Sequence, residues 1–378
     1  MEAIFWIIIL LVIYTYAGYP LSVIFLSLFA KKEVKKGFCE PTVTVLITAY
    51  NEENNIASKL EDTLSLEYPK EKMEIVVASD GSNDKTEEIV RDYQSKGVRL
   101  IRVEGRVGKT ETQNQAVKQA KGEIIIFSDA TTKYDKSAIR KIVRNYHDPS
   151  VGAVSGRYEY YNPNGAPTGM GTILFWKYEN FIKSRQTKIR TITGCCGCIY
   201  SVKKSLYEPL PANIISDLVE PLKILEKGYR IAFEPEAVAY EATEKKAADE
   251  FSMRVRVITR GMNGLLFVKN LFNPWKYNFV AFQLFSHKVL RWSIPFLMMG
   301  LLISNAFLLE HFFYRITFFL QVIFYAAAIF GWIWSQRGKK IKMLSIPFYF
   351  CLVNLASAIA LGNIVKGRKM VTWETIRK

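Results

Sequence analysis

Histidine is scarce in this sequence, and the cysteines stand apart from it. The 378 residues hold three histidines, His147, His287 and His311, and five cysteines, three of which share the run Thr193-Gly194-Cys195-Cys196-Gly197-Cys198-Ile199-Tyr200. A zinc centre needs a second Cys or His cluster at a fixed spacing, and there is none. The three thiols therefore read as small, buried, reduced side chains. Two glycine signatures are also missing. Gly105-Arg106-Val107-Gly108-Lys109-Thr110 ends like a phosphate-binding P-loop, but Val103 stands where its first glycine belongs, which disfavours a nucleotide triphosphatase. No Gly-x-Gly-x-x-Gly follows the first predicted strand, which argues against a nicotinamide or flavin enzyme. With 22 glycines and 13 prolines the chain is not low-complexity or fibrous, and with 49% hydrophobic residues it is not a disordered tail.

Acidic residues fall short of basic ones, 35 against 51, giving a formal net charge of +16. With no recognised nucleic-acid motif to use it, that excess is assigned to anionic lipid and phosphate-bearing substrates, and no nucleic-acid partner is expected. The apolar residues gather at the two ends. Ile4 to Leu28 is apolar and is followed by Lys31, Lys32, Lys35 and Lys36, which predicts a transmembrane helix with a cytoplasmic anchor. The run is too long for a cleaved signal peptide, and no basic residue precedes it. Three more apolar stretches, Ser293 to Leu309, Ile316 to Ser335 and Met343 to Val365, are long enough to span a bilayer. The aromatic and basic segment Gly264 to Trp292 predicts helices lying in the membrane interface. Counting spans puts Lys31 to Val268 and Gln336 to Lys342 inside and Lys366 to Lys378 outside. The last assignment conflicts with its five Lys or Arg residues, so one C-terminal stretch is expected to be re-entrant or interfacial.

Between the apolar ends the pattern alternates. The β-branched run Thr42 to Thr48 precedes the helix-like Glu53 to Leu66. Glu74 to Ser79 precedes Thr86 to Lys96, Val98 to Val103 precedes Thr110 to Ala120, and Glu123 to Phe127 precedes Lys136 to Tyr146. Such alternation predicts a parallel sheet with right-handed crossovers, whose ligands sit beyond the carboxyl ends of the strands. There the sequence places Ala49-Tyr50-Asn51-Glu52-Glu53, Asp80-Gly81-Ser82-Asn83-Asp84 and Ser128-Asp129-Ala130. Carboxylates at that edge can bind a base or ribose, or hold a divalent ion against a diphosphate. Each taken singly is equally an Asx turn or a helix cap. Arg106 and Lys109 at a helix start can attract phosphate.

In order and spacing, Thr48 to Glu53, Ser79 to Asp84, Gly105-Arg106 with Gly108-Lys109, Phe127 to Ala130, Thr193 to Tyr200, Ser216-Asp217 with Gly228-Tyr229-Arg230, and Val257 to Arg260 resemble the membrane-bound glycosyltransferase family 2. That family includes hyaluronan, cellulose, chitin-oligosaccharide and poly-N-acetylglucosamine synthases. The resemblance covers roughly residues 41 to 292. It implies an α/β GT-A nucleotide-sugar-binding domain with a mostly parallel sheet, flanked by transmembrane and interfacial helices. The boundaries that follow are a transmembrane helix over 1–30, a cytoplasmic catalytic domain over 41–262, interfacial helices over 263–292 and C-terminal transmembrane helices with a tail over 293–378.

The same resemblance assigns roles. Thr48, Ala49, Tyr50, Asn51, Glu52, Asp80, Arg106, Lys109, Ser128 and Asp129 are expected around the nucleotide. Asp129 is expected to hold Mg or Mn, Asp217 to act as general base, Arg256 and Arg260 to face the diphosphate, and Gly194, Cys195 and Cys196 to lie beside the acceptor. Three positions depart from the family pattern. Thr131 replaces the second Asp of the Asp-x-Asp metal motif, Ser216 replaces the acidic residue before the base, and Val257 and Gly261 replace the Gln and Trp around Arg260. The missing Trp points to one or a few sugar additions instead of processive synthesis.

The implied activity is inverting transfer from a nucleotide-diphosphate sugar, UDP-linked, to a membrane-associated saccharide or lipid-linked acceptor, forming a β-glycosidic bond in cell-surface polysaccharide or glycolipid synthesis. Two alternatives are transfer to a polyprenyl phosphate and a catalytically silent nucleotide-sugar-binding subunit of a polysaccharide export complex. The expected location is the plasma (inner) membrane with the catalytic domain in the cytoplasm. The expected partners are the donor, the acceptor, membrane lipids, and a second copy or an export-complex subunit.

Overall fold

The computed structural model of the chain describes residues 1–372 apart from residues 31, 164, 166, 245 and 337–340. Lys31, the middle of the Gln336–Lys342 loop and the end of the basic tail from Trp373 lie outside the described residues. Strand β1, Val43–Ala49, is buried at all seven positions, as expected of a β-branched run in a sheet covered on both faces. It pairs in parallel with β2, Met73–Ser79, on one side and with β4, Ile124–Asp129, on the other, and β3, Val98–Arg102, extends the sheet beyond β2. The four predicted strands and the crossover helices between them are thus present, with ends shifted by a few residues.

Four further strands complete the sheet. β7, Ile199–Lys203, runs antiparallel to β4 and to β6, Val151–Tyr161. Beyond these, β6 pairs in parallel with β8, Arg230–Ala242, and the short β5, Lys133–Tyr134, closes that edge. The eight strands run β3-β2-β1-β4-β7-β6-β8-β5. Side-chain alternation divides each central strand between two cores. Val45, Ile47 and Ile126 face the helices Ile56–Leu64 and Ala138–Val143, whereas Leu46, Ile125 and Phe127 face Lys109–Gln119 and Ser216–Glu226.

Among the described residues four helices are long and apolar enough to cross a membrane: Glu2–Phe29, Pro274–Ala306, Phe312–Gln336 and Met343–Val365. The segment expected to hold separate interfacial helices runs on from Pro274, through a π-helical turn at Phe285–Val289, into the apolar stretch that follows. The expected domain boundary at residue 262 lies inside the helix Ala247–Phe267. Aromatic contacts hold the first three long helices together, with Trp6 Nε1 donating to Tyr314 Oη at 3.2 Å and the Tyr14 and Ser286 hydroxyls 2.8 Å apart. The fourth lies along the sheet domain. Its Ala356 and Ala360 pack on Val255 and Ile258, and Asn363 Nδ2 donates to Thr259 Oγ1 at 3.4 Å. The chain then turns back onto the domain, where the Val371 carbonyl oxygen would stand 2.6 Å from a Cβ placed on Gly108.

Buried charge ties the sheet to its covering helix. Glu234 on β8 is fully buried and accepts from Arg144, at 3.0 Å to each oxygen, from Asn145 at 2.9 Å, and pairs with Lys36 at 2.8 Å. Burial alone would raise its pKa, but these donors bring it below the ordinary carboxylate value. Its stabilising contribution is therefore present above the unfolded-state pKa and lost as pH falls through the folded one. We expect Glu234→Gln to lower stability by about 1–2 kcal/mol near neutral pH, because it removes the charge-assisted hydrogen bonds from half-buried Arg144 and exposed Lys36. Thermal melts of the two proteins at pH 7 and pH 4 check this, the difference shrinking at the lower pH.

Candidate active site

Register brings the strand ends into one row. Thr48 stands opposite Asp129 and Ala49 opposite Ser79, so the loops after β1, β2 and β4 leave the sheet at the same edge. From that edge a cavity of about 730 Å³ opens toward the apolar helices. Nine of the sequence-predicted site residues line it: Thr48, Glu52, Lys109, Asp129, Gly194, Cys195, Asp217, Arg256 and Arg260. Ala49, Tyr50, Asn51, Asp80, Arg106, Ser128 and Cys196 do not, and several of these build the walls from behind.

Asp80 is fully buried. Its carboxylate accepts from the backbone N–H groups of Val107 and Gly108 and from the Thr112 hydroxyl at 2.8–3.1 Å. It thereby fixes the loop that delivers Lys109, and burial raises its pKa. The Arg106 guanidinium lies 4.0 Å from the centre of the Tyr50 ring, an arrangement of flat faces beside the carboxyl edge of the sheet. Asn51 adopts a left-handed backbone with φ 53° and accepts from Asn83 N at 2.9 Å, which clips the β1 loop to the β2 loop. The Ser128 hydroxyl turns to the carbonyl oxygen of Asp129 at 3.4 Å, and Cys196 accepts from Lys183 at 3.3 Å.

Two carboxylates and two cations meet inside the cavity. Lys109, the first residue of its helix, forms an ion pair with Asp129. Asp217 sits in the first turn of Ser216–Glu226, close enough to Lys109, Asp129 and Arg260 to feel each of them. Gly197 makes room for it, since a Cβ there would come within 2.7 Å of Asp217 Oδ2. Burial raises the Asp217 pKa, with Asp129 adding to the rise and Lys109, Arg260 and Lys183 opposing it. That is the condition a general base near neutral pH requires. Arg260 is anchored by Nη2 to Thr110 Oγ1 at 2.8 Å and to the Ile214 carbonyl at 2.6 Å, and burial lowers its pKa to about 10, so it remains a cation at pH 7.

The sequence analysis did not single out Glu241, on β8. It is 4% exposed, lines the same cavity and accepts a hydrogen bond from Thr131 Oγ1. Burial holds its pKa well above the usual carboxylate range, and repulsion from Asp129 and Glu244 adds to the rise. Its signal was weak because β8 continues over thirteen residues and only strand pairing shows where Glu241 points. The helix Pro167–Ile189 was missed as well. It contributes Phe175, Trp176, Tyr178, Glu179 and Lys183 to the cavity wall.

A divalent ion fits this donor set in one way. Among the described residues no three Asp, Glu, His or Cys side chains are grouped to hold a metal by themselves. Asp129, with Thr131 linking it to the Glu241 carboxyl, instead suits a hard cation that takes its remaining ligands from a substrate diphosphate.

Comparison with known proteins agrees with this geometry. Residues 44–210 match the model of glycosyl transferase family 2, so the chain carries a domain of that family. It is 29% identical over 230 residues to the poly-beta-1,6-N-acetyl-D-glucosamine synthase of Staphylococcus aureus strain MSSA476 and 28% identical over 230 residues to that of Staphylococcus epidermidis, in each case over 59% of this chain and 55% of the relative. The chain thus spans about half the length of the curated relatives it matches. Among solved structures, a mannosyltransferase from Pyrobaculum calidifontis, in complex with GDP-Man and Mn2+, superposes with a TM-score of 0.64 at 21% identity, over 93% of this chain and 99% of that one. The catalytic domain has the GT-A-like fold of a glycosyltransferase, joined to helices long and apolar enough to cross a membrane.

Proposed function

We propose that this chain transfers a sugar from a nucleoside diphosphate, UDP-linked, to a membrane-associated acceptor, with inversion at the anomeric carbon. The observation that carries the reading is that Asp129, Asp217, Lys109 and Arg260 line one cavity that also reaches the apolar helices. The named relatives are synthases of an N-acetylglucosamine polymer, and the superposable structure binds a nucleotide sugar, which supports the same class of donor. Asp217 takes the proton of the acceptor hydroxyl as the acceptor oxygen attacks, and the bond from the anomeric carbon to the diphosphate oxygen breaks with its electron pair leaving on the diphosphate. Lys109, Arg256 and Arg260 face that developing charge and hold it. Asp129 and Glu241 would hold a divalent cation, Mg or Mn, which supplies further charge neutralisation at the diphosphate.

For the orientation, Lys32, Lys35 and Lys36 follow the first apolar helix directly and favour a cytoplasmic catalytic domain. Val371 rests against Gly108, so the C-terminal segment shares the side of the catalytic domain. The three preceding long helices return the chain to the cytoplasm, and Met343–Val365 lies along the domain without crossing. This removes the charge conflict of the basic tail, because Lys366, Arg368 and Lys369, its described basic residues, then remain inside.

Five outcomes are expected. Membranes containing the protein, incubated with a panel of radiolabelled nucleotide sugars, transfer label from one of them, and absence of transfer from every donor removes the reading. Asp217→Asn lowers turnover by about 10²–10⁴-fold while nucleotide binding, measured by calorimetry, stays within a factor of about two. The protonated form of Asp217 cannot accept a proton, so kcat/KM falls on the acid side, and burial places that limb above the ordinary aspartate value of 3.8. Lys109→Met, which removes a cation that lowers the Asp217 pKa, moves the limb higher still. Chelation of divalent ions suppresses transfer and added Mn2+ or Mg2+ restores it; full activity in the chelator discards the metal.

A further inference from the structure

The membrane-facing half of the cavity carries positive charge that the donor reaction does not use. Lys183 is 6% exposed, and its ammonium, which has three protons to donate, meets the Cys196 thiol at 3.3 Å and the face of Trp176 at 5.5 Å, with no carboxylate paired to it. Lys288, on the Pro274–Ala306 helix, forms no ion pair or hydrogen bond among the described residues, although it lies within electrostatic reach of Lys183, Arg291, Glu179 and Asp217. Of the carboxylates nearby, Asp217 forms no ion pair with either lysine among the described residues, and the other two are already committed. Glu179 is shared by His287 at 3.1 Å and Arg291, and Glu250 is held by Arg254 at 2.9 Å. Arg291 still has Nε and Nη2 buried without acceptors, and so does Trp176 Nε1.

Four cations, Lys183, Lys288, Arg254 and Arg291, thus stand against two carboxylates, Glu179 and Glu250. Buried ammonium groups of this kind are costly unless an anion joins them. Past the lysines the wall changes character. Tyr16, Ile346, Phe350 and Val353 line it, with Asn354 and Ser357 farther along the helix of the last three, all from helices long and apolar enough to span a bilayer. A free saccharide would leave the ammonium groups uncompensated and place hydroxyls against this apolar wall. An anionic group attached to a hydrocarbon chain satisfies both.

We infer that the acceptor is a phosphate-bearing lipid with a free hydroxyl, its phosphate on Lys183, Lys288 and Arg291 and its chain along Tyr16, Ile346 and Phe350. This rests on the proposed transferase reading and specifies its acceptor. The hydroxyl proton passes to Asp217, the hydroxyl oxygen bonds to the anomeric carbon, and the nucleoside diphosphate leaves with the electron pair of the broken bond. The lipid phosphate stays intact and serves only to hold the acceptor.

The test is the melting temperature of the full chain in phosphatidylcholine nanodiscs with dodecyl phosphate, inorganic phosphate or dodecanol added. Dodecyl phosphate is expected to raise it saturably, and the other two, at equal concentration, to leave it unchanged. Lys288→Gln and, independently, Lys183→Gln should each raise the half-saturating concentration of dodecyl phosphate by about tenfold, the loss of one charge-assisted hydrogen bond. An equal shift with inorganic phosphate alone would mean a free anion site and overturn the lipid assignment. Unchanged half-saturation in both variants would overturn the site. The shift produced by a nucleoside diphosphate is the folding control for each variant, and its absence in the unsubstituted protein would strike the transferase reading itself, not the acceptor.

Discussion

The site depends on keeping two aspartates charged in one cavity. Asp217 is buried beside Asp129, and burial and that repulsion both favour its protonation, while Lys109 and Arg260 oppose it. Lys109 prevents this by pairing with Asp129 while lowering the Asp217 pKa, and Arg260 assists from the far side. The loop that presents Lys109 is in turn held by the Asp80 carboxylate through two backbone N–H groups and a hydroxyl. A third aspartate outside the cavity thus sets the position of the cation that governs the two within it. On the proposed reading, a donor diphosphate competes with Asp129 for Lys109. Its arrival would loosen that pair and change the field on Asp217 at the point where a base is needed.

A second constraint joins the catalytic domain to the apolar helices. Glu179, on the Pro167–Ile189 helix, is 4% exposed and binds His287 and Arg291 from the Pro274–Ala306 helix. Removing either partner would leave charge in a buried site, so the two helices are tied more firmly than apolar contact alone would tie them. Tyr19 adds to the junction, its hydroxyl accepting from Gln186 Nε2 at 2.6 Å while its ring stacks on His287. The cavity therefore has one rigid wall made jointly from the sheet domain and the long helices, and a substrate spanning both meets a fixed distance between its two ends.

Much of this was legible in the sequence, for identifiable reasons. β1, β2 and β4 are runs of β-branched residues ended by polar clusters, so their carboxyl edge and the placement of Thr48, Asp129 and Lys109 followed from local pattern. Asp217 and Arg260 came from resemblance, because no local rule brings residues so far along the chain to the strand ends. Asp80 was assigned to the nucleotide, whereas its carboxylate is bonded to the loop carrying Lys109, and hydrogen-bond partners cannot be read from spacing. Glu241, Lys183 and Lys288 were not found. Each is an ordinary charged residue in sequence, and its meaning comes only from the partners that tertiary packing gives or denies it.

The substitution at Thr131 illustrates how a motif can be incomplete in sequence and differently completed in space. An aspartate there would have placed a second carboxylate two residues from Asp129. The threonine instead donates its hydroxyl to Glu241 on β8, the strand that pairs with β5 just after Thr131. Two consequences follow. Burial raises the pKa of Glu241 while Asp129 and Glu244 repel it, so its ionised form depends on a cation being present, more than that of an exposed aspartate would. Because Glu241 is carried on β8, its position is set by the pairing of β8 with β6, Tyr160 opposite Glu241, and with β5, Lys133 opposite Tyr240. Cation binding would then be sensitive to the packing of β6 and β8, and through Tyr160 and Trp176 to the Pro167–Ile189 helix in the cavity wall.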